Sequence, residues 1–317
     1  MKKLLVVFGL LLVIAAGLGF WWTNGLLPVN KTDKTPTIFV VGKGEGVREI
    51  ANHLKSQKLI RDSVVFFLLT RIQGLDKQIQ AGDFRINPSM TSQEIANTLT
   101  HGTLDIWITI PEGKRALEIA DLLKEKIPTY KPTWDEQLVA NEGYLFPDTY
   151  LIPKDADISF IISLLTNNFK NKYSTLPASQ TLSKEEVVIV ASLVEREGKN
   201  DTDRPLIASV ILNRLNLGMK LDIDATIQYA LGFQAGEKRW WKKNLTADDL
   251  KLVSPYNTYK VAGLPPTPIS NPGLASLEAT VNPAKTDYLF YMTDAKGITH
   301  FAKTIQEHNA NISKYGL

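Results

Sequence analysis

Cysteine is absent from this 317-residue chain, and its absence excludes several kinds of site. Disulfide bonds, thiol nucleophiles and cysteine-ligated zinc all require a residue that the sequence does not contain. Only four histidines occur, and none has the spacing of a histidine metal-ligand pair. We therefore expect a functional site that uses no metal ion and no organic cofactor.

A large excess of charge of one sign is also missing. The 36 lysines and arginines nearly balance the 33 aspartates and glutamates, which leaves a net charge of +3. That charge is too small to indicate a nucleic-acid partner. The sequence has no internal repeat, no glycine-rich phosphate loop and no low-complexity tail, whereas its 44% hydrophobic content supports a substantial core.

The longest uncharged apolar run lies near the N-terminus, over residues 4–22. A helix of that length rises ~1.5 Å per residue and spans a hydrocarbon core of ~30 Å. Lys2 and Lys3 precede the run and favour a cytoplasmic N-terminus. A cleaved signal peptide is the alternative, but the small residues Ala15 and Ala16 lie inside the run. We predict a single-pass protein of the inner (cytoplasmic) membrane with its catalytic part in the periplasm.

Four segments are predicted along the chain: an anchor over 1–23, a linker over 24–36, a small module over 37–103 and a larger catalytic domain over 104–317. The small module has the order strand, helix, helix, strand, helix. That order is LysM-like, although a generic small unit would show the same pattern. Helices mixed with short strands, without a regular βαβ repeat, predict an α+β fold.

An apolar run over 187–194 leads directly into Glu195, Arg196 and Glu197. Ser183 and Glu186 have the spacing of a capping box at the start of this predicted helix. A carboxyl group at the end of a buried helix tends to be partly desolvated, which raises its pKa toward the range of a general acid. Glu195 is therefore the first catalytic candidate.

Glu195 and Glu197 do not form a ready-made catalytic pair. Residues two apart on a helix point ~200° apart, so the two carboxyl groups are not expected in one cleft. Glycoside hydrolysis usually needs two carboxyl groups. One acid is enough if the 6-hydroxyl of a muramic-acid sugar attacks its own anomeric carbon, which is lytic transglycosylation. The alternative is that both glutamates only form salt bridges with nearby arginines.

Four segments resemble the YceG-like (MltG) family of membrane-anchored endolytic murein transglycosylases. They are EGYLFPDTY (142–150), ASLVEREG (191–198), the segment 204–232 that begins RPLIAS, and the segment 254–292 that begins SPYNTY. The resemblance implies that Glu195 is the catalytic glutamate, in the family's Ser-apolar-Val-Glu-x-Glu motif. Further residues in these motifs are candidates for binding substrate: Glu142, Tyr144, Gln228, Tyr256, Asn257 and Tyr259.

The activity implied by the resemblance is cleavage of the MurNAc–GlcNAc β-1,4 bond of nascent peptidoglycan, leaving 1,6-anhydroMurNAc ends and terminating strand elongation. The implied partners are glycan strands, peptidoglycan synthases and the elongation or division machinery. Two alternatives stay open: a hydrolase that uses water, and an inert wall-binding scaffold.

Three local alternatives also stay open. Tyr144 and Asn257 would equally suit core packing and a turn. Asp224 is predicted to cap the helix that starts beside it. The basic and aromatic segment 236–243 is predicted to be a solvated loop, with contact to lipid, glycan or a partner as the alternative.

Overall fold

A computed structural model describes residues 2–100, 105–154 and 156–316 of the chain, with side chains described from residue 7 onward. It confirms a mixed α+β fold. The chain forms two compact units. Unit 1 comprises Met1–Ile106 with Leu151–Asp155, and unit 2 comprises Trp107–Tyr150 with Ala156–Leu317.

Unit 1 contains one antiparallel strand pair and a set of helices. Strands β1 and β2 pair in the register Thr37 to Ile86 and Val41 to Gly82. Their inward residues, Phe39 and Phe84 among them, form a core with the helices. The elements are α1 (Lys2–Leu26), β1 (Thr37–Val41), α2 (Val47–Ser56), α3 (Ser63–Ile72), β2 (Gly82–Ile86) and α4 (Ser92–Thr100).

Helix α1 is long and apolar enough to cross a membrane over Val7–Leu26. Its C-terminal end packs within unit 1, where the indole N–H of Trp21 donates to Asp62 Oδ2 at 3.2 Å. Gly25 permits close approach, because a Cβ there would lie 2.6 Å from Cγ2 of Val65. These contacts connect the apolar helix directly to the fold of unit 1.

Strands β3 and β4 pair with each other, and the division between the units falls within them. Strands β5 and β6 form an antiparallel hairpin in unit 2. The remaining elements are β3 (Asp105–Thr109), α5 (Ala116–Lys126), α6 (Trp134–Val139), β4 (Thr149–Pro153), α7 (Ile158–Tyr173), α8 (Lys184–Glu197), α9 (Arg204–Asn216), α10 (Asp224–Leu231), a 3₁₀ turn (Asp249–Lys251), α11 (Leu274–Val281), β5 (Phe290–Thr293), β6 (Thr299–Ala302) and α12 (Ile305–Tyr315).

Helix α8 is the central helix of unit 2. Every residue from Val187 to Val194 is buried, and the helix packs against α9 and α11. The predicted capping box is present: Ser183 Oγ accepts the Glu186 N–H at 3.2 Å, and Glu186 Oε2 accepts the Ser183 N–H at 2.8 Å. The apolar run and its cap therefore form the helix that the sequence predicts.

Two short strands of the structure were not assigned from the sequence. Strand β4 begins at Thr149, inside the segment 142–150 that resembles the family. Strand β6 was not foreseen, because a strand of four residues carries little periodicity. The predicted boundary between the small module and the catalytic domain, at residues 103 and 104, lies outside the described residues.

The α8 cap gives a stability prediction. Ser183→Ala removes the acceptor for a free helical N–H, so the free energy of unfolding should fall by about 1 kcal/mol in urea titrations. Ser174→Ala is the matched control, because Ser174 Oγ only donates to the Asn171 carbonyl on the surface, and its effect should stay within about 0.5 kcal/mol. Equal effects of the two substitutions would contradict a stabilising cap on α8.

Candidate active site

Helix α8 ends in three charged residues, Glu195, Arg196 and Glu197, and their side chains point in three directions. Successive residues on a helix are turned by about 100°, so Glu195, Arg196 and Glu197 cannot share one environment. Because the preceding two turns are buried, the helix cannot rotate to exchange these directions. Each side chain therefore has its own set of contacts.

The Glu195 side chain is only 6% exposed and has two donors. Its Oε1 is 3.4 Å from Nη2 of Arg204, and its Oε2 accepts the Gly273 N–H at 2.9 Å. A salt bridge of the kind given as the alternative role is thus present between Glu195 and Arg204. The catalytic role of Glu195 stays a prediction.

Glu112 is a neighbour of Glu195 that sequence reasoning missed. Burial and the nearby charge of Glu195 raise the pKa of the Glu112 carboxyl. Its Oε1 lies so close to the backbone of Gly273 that a Cβ there would be 1.9 Å away. The available signal was the Pro-Glu-Gly sequence that follows strand β3.

Glu197 lines a cavity of about 620 Å³ in unit 2. Its Oε2 accepts the Tyr291 hydroxyl at 3.1 Å. Burial raises the pKa of the Glu197 carboxyl to about 7, the hydrogen bond from Tyr291 opposes that rise, and the charge of Asp224 adds to it. A carboxyl group with this pKa is half protonated near neutral pH, as a general acid requires.

Asp224 faces the same cavity. The prediction that it caps α10 was wrong: Asp224 is the first residue of the helix, and Ile223 occupies the cap position without a side-chain bond. Its Oδ1 instead accepts the Tyr259 hydroxyl at 2.6 Å. Asp224, Tyr259 and Glu197 are therefore brought together, although they lie far apart in the sequence.

Arg214 shapes the cavity wall from α9. Its guanidinium donates to the carbonyl oxygens of Lys220 and Leu221 at 3.1 and 2.8 Å and to Asp222 Oδ2 at 3.1 Å. Asp222 has a φ of 51°, a left-handed conformation that costs free energy in a non-glycine residue. The arginine thus holds a strained turn that leads into α10.

Glu142, a predicted substrate ligand, is buried and bonded to protein groups. Its two oxygens accept the Ala116 N–H at 2.9 and 3.0 Å, and Oε1 also accepts from Nδ2 of Asn271 at 2.9 Å. Burial raises its pKa to about 7, against the hydrogen bond from Ala116. Asn271 was missed from the sequence, and it connects Glu142 to the segment that contacts Glu195.

The other predicted ligands are spread over unit 2. Tyr144 packs edge-on against Phe169. Asn257 is fully buried, and its amide donates to the Leu250 and Leu252 carbonyls at 3.0 and 2.7 Å. Of the six predicted binding residues, only Tyr259 lines the Glu197 cavity.

Two of the predicted substrate-binding residues, Gln228 and Tyr256, form hydrogen bonds with other residues of the protein. Gln228 Nε2 donates to the Lys242 carbonyl at 2.8 Å. The Tyr256 hydroxyl is 2.7 Å from that of Thr267. Within the described part of the chain, no group of three histidine, aspartate or glutamate side chains is placed to hold a metal ion.

Glu142 gives a prediction about pH and stability. Its ordinary pKa of 4.5 rises to about 7 in the folded protein, so the folded state holds this proton more tightly than the unfolded state. Stability should therefore be greatest below pH 4.5 and fall as pH rises toward 7, by about 3 kcal/mol for this group. In Glu142→Gln that part of the pH dependence should vanish from urea titrations between pH 4.5 and 7.5.

The exposed Glu125, substituted by glutamine, is the matched control for that experiment. Wild-type and Glu142→Gln stability curves that run parallel over this pH range would contradict the assignment.

Comparison with known proteins supplies the family. The sequence model of the YceG-like family matches residues 39–314. A Bacillus subtilis protein named endolytic murein transglycosylase is 32% identical over 96% of this chain and 91% of its own length. A Streptococcus pneumoniae protein of the same name is 28% identical over 98% of this chain, which spans 64% of that longer relative.

The structural comparison agrees with the sequence comparison. A crystal structure of a YceG-like protein from Listeria monocytogenes superposes with a TM-score of 0.55 at 29% identity, covering 87% of this chain and 99% of the other. The two proteins therefore share a fold. With a family match over most of its length and a relative above 30% identity, the chain belongs to the YceG-like family.

Proposed function

We propose that this protein is a peptidoglycan lytic transglycosylase that cleaves the MurNAc–GlcNAc β-1,4 bond. The observation that carries the proposal is a carboxyl group, Glu197, with a pKa of about 7 on the wall of a cavity that also contains Asp224. The names of the Bacillus and Streptococcus relatives support the same activity. No metal ion or organic cofactor is part of the proposed reaction.

The reaction needs one group that acts first as an acid and then as a base. Protonated Glu197 donates its proton to the glycosidic oxygen as the bond from that oxygen to the muramyl C1 breaks. The 6-hydroxyl oxygen of the same muramyl sugar bonds to C1, and the Glu197 carboxylate takes the hydroxyl proton. The products are a free 4-hydroxyl and a 1,6-anhydro end, no water is consumed, and Glu197 is again protonated.

Glu197 suits this role better than Glu195. The Glu195 carboxylate is held by Arg204 and the Gly273 N–H, and both contacts belong to the fold. Glu197 lies beside the cavity and accepts the Tyr291 hydroxyl and the Ala225 N–H, and among the described residues it forms no ion pair with an arginine. The family motif implies the acid at Glu195, the cavity favours Glu197 two residues later, and substitution of each glutamate decides between them.

Asp224 and the aromatic residues have supporting roles in the proposal. The cleavage passes through an oxocarbenium-like state with positive charge near C1. A carboxylate at Asp224, oriented by the 2.6 Å bond from Tyr259, would stabilise that charge. The Tyr259 ring on the cavity wall offers an apolar face to the sugar ring.

The cellular setting is part of the proposal. Helix α1 is compatible with a single-pass anchor. We place the N-terminus in the cytoplasm and the catalytic unit outside it, where nascent strands are made. The 37–103 segment would be a LysM-like module, the 104–317 segment the catalytic domain, and synthases of the elongation or division machinery the partners, with strand termination as the outcome.

Substitution of the two glutamates tests the acid. Glu197→Gln should lower the cleavage rate of purified glycan strands by about 10²–10⁴-fold, because the proton donor is lost. Glu195→Gln is the matched variant and should retain most of the activity. Products are analysed by mass spectrometry, and anhydro ends without added water separate this reaction from hydrolysis.

The opposite ranking of the two variants would assign the acid to Glu195. Full activity in both, or strand binding with no cleavage in the wild type, would overturn the proposal and favour a scaffold.

The pH profile gives a second test. Because Glu197 must be protonated to donate, kcat/KM should fall as pH rises through about 7. This fall is the alkaline limb of the pH profile. The charge of Asp224 raises the Glu197 pKa, so Asp224→Asn should move the alkaline limb to lower pH. The Tyr291 hydrogen bond lowers that pKa, so Tyr291→Phe should move the limb to higher pH.

Shifts in the same direction, or no alkaline limb in the wild type, would contradict Glu197 as the titrating acid.

A further inference from the structure

A second cavity, of about 400 Å³, lies beside the end of α8 and is lined by cationic and aromatic side chains. The basic segment 236–243 supplies part of its wall, so this segment is more than a solvated loop. Trp241 in that segment is only 7% exposed and belongs to the core of unit 2. The cationic and aromatic lining residues are Lys114, Arg196, Lys238, Arg239, Trp240 and Trp241.

Hydrogen bonds to Glu118 fix one wall of this cavity. Its Oε1 is 2.7 Å from Lys114 Nζ, and its Oε2 accepts the Trp241 indole N–H at 2.7 Å and the Arg115 N–H at 3.2 Å. Both carboxylate oxygens are thus used inside the wall. The Trp241 ring is held in place, and Lys114 has a partner.

Arg196 has no such carboxylate partner. Its guanidinium carbon lies 3.7 Å from the centre of the Trp241 ring, and its Nη1 makes one long bond, of 3.4 Å, to the Gly113 carbonyl. Its buried Nε has no hydrogen-bond acceptor. Within the described residues no carboxylate lies within ion-pair distance of this guanidinium.

Burial lowers the pKa of Arg196, and the nearby charge of Arg239 lowers it further, against the carboxylates around it. Two guanidinium groups that repel each other across a cavity would both gain from an anion placed between them.

Lys238 and Arg239 are carried by a tight turn. The Gln234 N–H donates to the Arg239 carbonyl at 2.7 Å, and Lys238 has a φ of 51°. Within the part of the chain that the structure describes, neither exposed side chain forms an ion pair. The Trp240 indole N–H donates to Asp121 Oδ2 at 2.9 Å and fixes the adjacent ring.

Glu112 is the remaining charged residue on the wall, and its carboxyl faces Glu195. The lining therefore carries more positive than negative charge. Lys114 is paired with Glu118, and Arg196, Lys238 and Arg239 are left to bind an anion. Guanidinium groups suit a carboxylate, and the Trp240 ring, fixed by its bond to Asp121, gives the wall an apolar surface beside them that suits a sugar. An anion carried on a sugar satisfies both kinds of group.

We propose that this cavity binds a carboxylate carried by the muramyl residues of the glycan strand. The inference rests on the proposed function, which supplies a muramyl strand as substrate. Two carboxylates fit the chemistry: those of the peptide stem, and the lactyl carboxylate of a muramyl residue whose stem has been removed. This cavity is separate from the one beside Glu197, because Arg196 and Glu197 leave α8 in different directions and the two cavities share no lining residue.

Equilibrium binding to the full-length protein in detergent tests the proposal, read by quenching of tryptophan fluorescence. Three disaccharides serve as probes: GlcNAc–MurNAc with a tetrapeptide stem, GlcNAc–MurNAc without a stem, and neutral chitobiose in its N-acetylated form, GlcNAc–GlcNAc. None contains the MurNAc–GlcNAc bond, so binding is measured without cleavage. The wild type should bind at least one acidic probe about tenfold more tightly than chitobiose, and the tighter acidic probe identifies the carboxylate.

The double variant Lys238→Ala with Arg239→Ala should lose this preference. Lys170→Ala with Lys296→Ala removes the same charge from exposed positions that do not line the cavity and should keep the preference. The proposal would be overturned if the wild type bound chitobiose as tightly as both acidic probes. It would also be overturned if the Lys238→Ala, Arg239→Ala variant kept the preference for an acidic probe.

The binding test is independent of the proposed function. If Glu197→Gln cleaves normally while the acidic preference is present, the proposed acid fails and the cavity assignment stands. If that variant is inactive and no preference is found, only the cavity assignment fails.

Discussion

Burial of α8 is the constraint on which the rest of unit 2 depends. Its residues from Val187 to Val194 are all buried. Burial of each large apolar side chain stabilises the folded state by about 1.5–3 kcal/mol. Rotation of the helix would expose part of this surface, so its orientation is fixed. The directions of Glu195, Arg196 and Glu197 are fixed with it, which gives three adjacent residues three separate environments.

A buried polar network then holds the loop before α11 against this helix. Ser192 Oγ accepts the Ile269 N–H at 3.1 Å, and the Ser192 carbonyl accepts from Ser270 Oγ at 3.2 Å. Asn271 continues the network to Glu142 at 2.9 Å. Buried polar groups are costly without partners, so these bonds set one conformation for the segment that contacts Glu195.

Strong local signals predicted much of the fold. The strand and helix order of the small module was recognised from its pattern, and α8 and its cap follow from the apolar run and from Ser183 and Glu186. Short strands such as β4 and β6 were missed because four or five residues show little periodicity. Asp224 was misjudged because its partner, the Tyr259 hydroxyl, lies 35 residues away.

The sequence by itself determined that an apolar helix ends in two glutamates, and that helical geometry separates them by ~200°. It also determined the apolar N-terminal helix and the absence of any thiol chemistry. Only the tertiary structure decided which glutamate faces a cavity. The pKa of Glu197 depends on burial, on Asp224 and on Tyr291. Those neighbours come from distant parts of the chain, and no local pattern records their approach.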